Sequence, residues 1–168
     1  EDNYISADIN LQDQKFNIND LSIKLFGKEY YVQPNQINTK NYTEYNIKDL
    51  HMYINESKLL LNGDYNSEGI KGSIIMDGLS LNDIFDNAKG IVDGIIIYDN
   101  TQLYDSLYAN ISIDTFRTQI FNTDNMKLEM SGSGDIYHIK NISSIYNGNE
   151  SFLHGSFRLE DIYKFPKI

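Results

Sequence analysis

Apolar and polar residues alternate along most of this chain. Alternation with period two fits little except half-buried β-strands, because successive side chains of a strand point to opposite faces. Leu107, Ala109, Ile111 and Ile113 are separated by Tyr108, Asn110 and Ser112, and residues 126–131 and 153–160 repeat the pattern. It runs on through Ile5, Ala7, Ile9 and Leu11, through Phe16, Ile18, Leu21, Ile23 and Leu25, and through Leu50, Met52 and Ile54. Between these stretches lie residues that tolerate positive φ or bond their own backbone, at 27–28, 62–69, 131–135 and 147–149. The expected fold class is all-β, a meandering antiparallel sheet built of hairpins. Residues 33–46, which include Pro34, alternate poorly and are expected to form a long loop or irregular crossover. One short helix is expected near residues 80–88, with Ser80 as N-cap candidate, Asp83 and Asp86 behind it and Gly90 beyond its end.

A length of 168 residues suits one β-rich domain over 1–168, and no composition shift marks a second. The net charge of −10 disfavours nucleic acid and anionic membrane surfaces, both of which reward added cations. With no Cys, disulfides, thiolate zinc sites and cysteine nucleophiles are excluded. The longest apolar runs, such as 94–98, fall far short of the ~20 residues of a membrane-spanning helix. The chain begins at Glu1 with no leader-like segment and is expected to be a piece of a longer protein. Abundant Asn and Ile with scarce Ala and Arg reflect a low-GC codon bias. The Asn-x-Ser/Thr triplets at Asn41, Asn55, Asn110, Asn141 and Asn149 are therefore read as coincidence.

Motifs for catalysis are missing. His51, His138 and His154 lie far apart in sequence and read as solvent-facing strand residues. Residues 131–134 lack the first Gly of a nucleophile elbow, and no phosphate-cradling Gly-Lys spacing occurs. Asn62, Asp64 and Asn66 lack the Gly and terminal Glu of a calcium loop. Tyr30, Tyr31, Tyr42 and Tyr45 would suit a sugar-stacking platform, but Tyr is also an ordinary strand residue. The expectation is a protein that is not an enzyme and holds no cofactor and no metal.

The informative feature is an aliphatic parity, assigned to Ile70, Ile74, Met76, Ile95, Ile97, Leu107, Ile111, Ile113, Met126, Leu128, Met130, Phe157 and Leu159. In a sheet closed on itself these residues are core; in an open gutter they form a floor for alkyl chains, each buried methylene contributing roughly 0.8 kcal/mol. Periodicity leaves both open. The alternative to the gutter is a closed β-sandwich of adhesin-like type that binds carbohydrate or protein.

The run Leu59-Leu60-Leu61-Asn62-Gly63-Asp64-Tyr65 is followed by Gly69-Ile70-Lys71-Gly72-Ser73-Ile74-Ile75-Met76-Asp77-Gly78-Leu79-Ser80-Leu81, then the helical stretch, then Gly90-Ile91-Val92-Asp93-Gly94-Ile95-Ile96-Ile97. This succession resembles the repeat of the TamB and AsmA-like family (translocation and assembly module TamB, bridge-like lipid transport proteins). There, a strand ending in Gly-Asp, a Gly-x-hydrophobic-x-Gly strand, a short helix and a second such strand follow one another. The similarity covers residues 57–160, as an internal groove segment. At 98–103 the chain has Tyr-Asp-Asn-Thr-Gln-Leu where the family commonly has Gly-Thr and Pro, so a different turn is expected there.

The resemblance implies a β-taco, a sheet curled into a half-pipe with an apolar groove. It implies a non-enzymatic, lipid-conducting segment carrying phospholipid acyl chains between inner and outer membranes in the periplasm, and a role in outer-membrane protein assembly. Implied partners are phospholipid acyl chains, an outer-membrane barrel protein and adjacent β-taco repeats stacked edge to edge; nucleic acid is not among them. The full-length protein would be anchored in the inner membrane.

Overall fold

The computed structural model describes residues 3–25 and 28–158. The strands are β1 (Tyr4–Gln12), β2 (Lys15–Leu25), β3 (Lys28–Val32), β4 (Asn35–Lys40), β5 (Glu44–Ile54), β6 (Ser57–Asn66) and β7 (Gly69–Ser80), then β8 (Lys89–Asp99), β9 (Ser106–Arg117), β10 (Asn125–Ser133), β11 (Ile136–Tyr146) and β12 (Asn149–Arg158). Among the described residues a single helix, α1 (Leu81–Ile84), links β7 to β8. All twelve strands belong to one sheet, in the order β1-β2-β3-β5-β6-β7-β8-β9-β10-β11-β12 with β4 beside β2 and β5. The all-β antiparallel expectation holds.

The expected loop at 33–46 is instead mostly strand. Both β3 and β4 pair with β2 on one side and β5 on the other, so they fill a single position in the sheet. The break between them falls at Gln33 and Pro34, and proline has no N–H to donate to a ladder. The chain then turns at 41–43, where Asn41 and Tyr42 take positive φ, and re-enters as β5.

Turns are shorter than the clusters that predict them. Of 62–69, only Ser67 and Glu68 turn, and of 131–135, only Gly134 and Asp135. Asn147-Gly148 forms the β11–β12 hairpin with both residues at positive φ, the geometry that matches strand twist.

Six of the ladders, through bulges in five strands, hold a one-residue irregularity that lets the apolar phase continue; in β2 it lies between Ile18 and Asp20. In β5 it lies between Ile47 and Leu50, in β7 between Met76 and Leu79, in β11 between Ile139 and Ile142, and opposite Lys89 and Ile91 it falls in β9. Asp49, Gly78 and Thr115 sit in three of these with φ of 50°, 64° and 54°, the left-handed backbone that a bulge uses.

Helix α1 is one turn long, shorter than the expected 80–88. Ser80 makes no side-chain capping bond, and Phe85 is already extended. Asp83, expected to serve the helix start, instead accepts hydrogen bonds from Asn55 Nδ2 at 2.7 Å and Ser57 Oγ at 2.5 Å. The segment is held by packing: Leu81 and Ala88 join Ile54, Leu79 and Val92 in the buried core cluster. Fully burying such aliphatic side chains contributes about 1.5–3 kcal/mol each for the larger ones.

Candidate functional site

Residues paired directly across neighbouring strands point to the same side of a sheet. Following the register from edge to edge gives one row: Ala7, Leu21, Val32, Met52, Leu59, Met76, Gly94, Ile111, Leu128, Ile142 and Leu153. All are apolar, over all eleven strand positions. Parallel rows on the same face are also apolar through the middle of the sheet. One contains Leu50, Leu61, Ile74, Ile96, Ala109, Met130 and Ile139, and the next Ile47, Gly63, Gly72, Tyr98, Leu107, Gly132, Tyr137 and Phe157. The reverse face is mixed to polar: Asp93, Ser112, Lys127 and Ser143 share one row, and Asn110, Glu129 and Asn141 another.

Of the residues assigned from sequence, Ile70, Ile74, Met76, Leu107, Ile111, Ile113, Met126, Leu128, Met130 and Phe157 fall on this apolar face. Ile95 and Ile97 do not. Ile95 pairs with Asn110 and Ile75, and Ile97 with Tyr108 and Ser73, which puts both on the reverse face. In β8 the apolar face is carried by Val92, Gly94, Ile96 and Tyr98. Three consecutive isoleucines carry no phase of their own; the usable signal was Asp93 and Asp99, acidic residues of the same parity as Ile95 and Ile97. Leu159 lies outside the described residues. Sequence reading also missed β5, β6 and β11 as contributors, among them Leu59, Leu61 and Ile142.

The face is covered unevenly. At the end where β7 leads into α1, Ile54, Leu79 and Val92 are buried beneath Leu81 and Ala88. At the other end Ile70 is 48% and Ile74 38% exposed. There Ile47, Leu50, Leu61, Ile70, Ile74, Ile96 and Tyr98 surround a hollow of about 260 Å³. Its floor is the cross-strand pair Gly63 and Gly72, two missing side chains side by side. A Cβ on Gly72 would come within 2.9 Å of the Asn62 carbonyl, whereas one on Gly63 would make ordinary contact, 3.4 Å from the Lys71 carbonyl. By contrast, the glycine in β10 is filled: the Tyr137 ring lies over Gly132, where a Cβ would meet it at 2.2 Å, and stacks on Phe157 at 5.6 Å. An aromatic laid over a strand glycine is a recurrent way to close such a gap.

Polar groups stand at the same end of the sheet as the hollow, most of them on the reverse face. Asp99, opposite Lys71 on the reverse face, takes a carboxyl pKa below the usual range, chiefly because the Thr101 hydroxyl and N–H donate to it, with the ion pair to Lys71 at 3.3 Å adding to the effect. The Tyr98 hydroxyl is pushed up, first by burial and then by its hydrogen bond to Asp105 at 3.2 Å.

Elsewhere the side chains singled out from sequence have structural partners. Asn62 Oδ1 accepts the N–H of Asp49 at 2.8 Å and so supports the β5 bulge, and Asp64 bonds Asn46. His51 Nδ1 lies 3.1 Å from Gln33 Oε1 and its ring meets Tyr53 edge-on, while His154 stacks on Phe152. Tyr31 pairs with Tyr53 on the reverse face at 6.3 Å, whereas Tyr45 lies between Phe16 and Tyr65. No described helix is long and apolar enough to cross a membrane.

Comparisons with protein-family models, with curated proteins and with solved structures find no match for this chain.

Proposed function

We propose that this chain is a non-enzymatic lipid-conducting segment. Its sheet curls lengthwise into a half-pipe, and the apolar face forms a groove that carries phospholipid acyl chains between the two membranes of a cell envelope, as the resemblance to TamB and AsmA-like proteins implies. The observation that carries this reading is the unbroken apolar row from Ala7 to Leu153, which runs across the strands. A lipid passed from strand to strand along that row keeps its acyl chain on hydrocarbon throughout and meets no hydrogen-bonding side chain that would hold it in one place. Each methylene removed from water contributes roughly 0.8 kcal/mol, so affinity grows with chain length without a polar recognition site. The Gly63–Gly72 hollow is the point where a chain would seat.

The test uses the phase of β8. A photo-crosslinking residue is placed at Ile96 or at Ile95, adjacent isoleucines on opposite faces, and the protein is exposed to labelled phosphatidylethanolamine vesicles. Adducts are expected at Ile96 and not at Ile95. Gly63→Leu, which fills the hollow at a position with room for a Cβ, is expected to cut the Ile96 yield several-fold while strand circular dichroism is retained. A folded protein with no adduct at Ile96 refutes the reading.

A further inference from the structure

We infer that the α1 segment fixes which way round a bound acyl chain lies: the chain end abuts Leu81 and Ile84, and the polar head stays at the opposite end of the strands, beside Ile70 and Tyr98. This deepens the acyl-chain reading above and rests on it.

Helix α1 does not hold itself in place. It has four residues, and the turn closes with the Phe85 N–H donating to the Leu81 carbonyl at 2.7 Å. A single turn is far below the length at which a helix is stable alone. Its position is imposed from strands that are not its neighbours in sequence. Asn55 of the β5–β6 turn and Ser57 at the start of β6 both donate to the Asp83 carboxylate, and Ser57 Oγ accepts the Ser80 N–H at 2.8 Å. Ser57 is 2% exposed, so this hydroxyl is sealed between strap and sheet. From β3, Lys28 Nζ pairs with Asp86 at 2.9 Å and donates to the Asn82 carbonyl at 2.5 Å. The segment 81–88 is thus a strap, rooted in β7 and β8 and tied across β6 and β5 to β3.

The strap covers only one end of the apolar rows. Ile54, Leu79 and Val92 lie under it, with Met76, Ile111 and Ile113 packed against the same cluster. Further along β7 the face opens, and Ile70 and Ile74 are among the exposed large hydrophobics. At this open end the polar group on the apolar face is the Tyr98 hydroxyl, hydrogen-bonded to Asp105 at 3.2 Å, whereas Lys71 and Asp99 pair with each other on the reverse face. An amphiphile has one arrangement that satisfies both ends: hydrocarbon toward the strap, and the charged head toward the uncovered end, where the face meets water.

The experiment uses two phosphatidylcholines, one with a photoreactive group at the acyl terminus and one with it beside the headgroup, and maps adducts on the whole chain by mass spectrometry. The terminal probe is expected to mark residues around Met76, Leu81 and Ile84, and the headgroup probe residues around Ile70 and Tyr98, each with at least a several-fold preference. Lys28→Ala combined with Asp83→Ala unties the strap and is expected to erase the preference of the terminal probe; Leu81→Ala, which keeps the ties and removes the stop, serves if the double variant does not fold. Equal or inverted distributions in the wild type overturn the orientation while leaving lipid binding intact. Adducts with neither probe refute lipid binding itself, and the orientation with it.

Discussion

Thr39 and Thr123 show how one side chain can work in opposite senses. Both are buried, at 8% and 1% exposure. The Thr123 hydroxyl donates to the Ile145 carbonyl at 2.6 Å, and its backbone N–H donates to Phe116 at 2.8 Å, so the residue ties the β9–β10 connection to β11. The Thr39 hydroxyl has no hydrogen-bond partner among the described residues. An unmade bond at a buried hydroxyl costs about 1–3 kcal/mol, whereas a made one contributes about 1 kcal/mol net. Replacing each by valine keeps volume and β-branching. Thr39→Val is expected to raise the urea midpoint by an amount equivalent to about 1 kcal/mol, and Thr123→Val to lower it by a similar amount. Midpoints that move in the same direction would refute this account. Neither role was legible in the sequence, because a threonine in an alternating stretch reads the same whether or not its hydroxyl finds a carbonyl.

At the scale of the element, the alternation reveals the strands and hides their phase. Strands β1, β2, β9, β10 and β12 were legible because each alternates cleanly over six residues or more. The β3–β4 position was not, because Pro34 interrupts it and Asn-rich flanks mask the period. The parity of β8 slipped by one for want of a polar residue inside its isoleucine run. Bulges are the third source of error, since they change the phase without leaving a period. In β7 the bulge is marked by Gly78, whose N–H donates to Asp93 Oδ1 at 2.8 Å and whose φ of 64° suits glycine or asparagine. A Cβ there would touch nothing within 4 Å, so the constraint is backbone conformation alone. Gly78→Asn is therefore expected to fold with nearly unchanged thermal stability, and Gly78→Val to lose about 1–2 kcal/mol. Equal losses for the two would show that the bulge is held by packing and not by φ.

For the whole molecule, the sheet has two ends, and their relative direction constrains how copies meet. The path from β1 to β12 has eleven positions, each antiparallel to the next, so β1 and β12 run in the same direction. Stacking copies head to tail would set β12 of one beside β1 of the next in parallel, the slightly weaker ladder. Pairing like edges about a two-fold axis makes the junction antiparallel. Both edges are exposed and partly apolar, with Ile5 at 72% and Phe152 at 73% exposure, and open edges of this kind invite pairing. The chain has no cysteine, so a single one introduced in β12, as Leu153→Cys, reports only on its own copy in another molecule. At millimolar protein, light scattering is expected to show mass above the monomer. Oxidation is expected to link Leu153→Cys to itself, with Leu153→Lys abolishing association. If Leu153→Cys links only when mixed with an Ile9→Cys variant in β1, the stacking is head to tail; a strict monomer at that concentration would show that the edges are protected in solution.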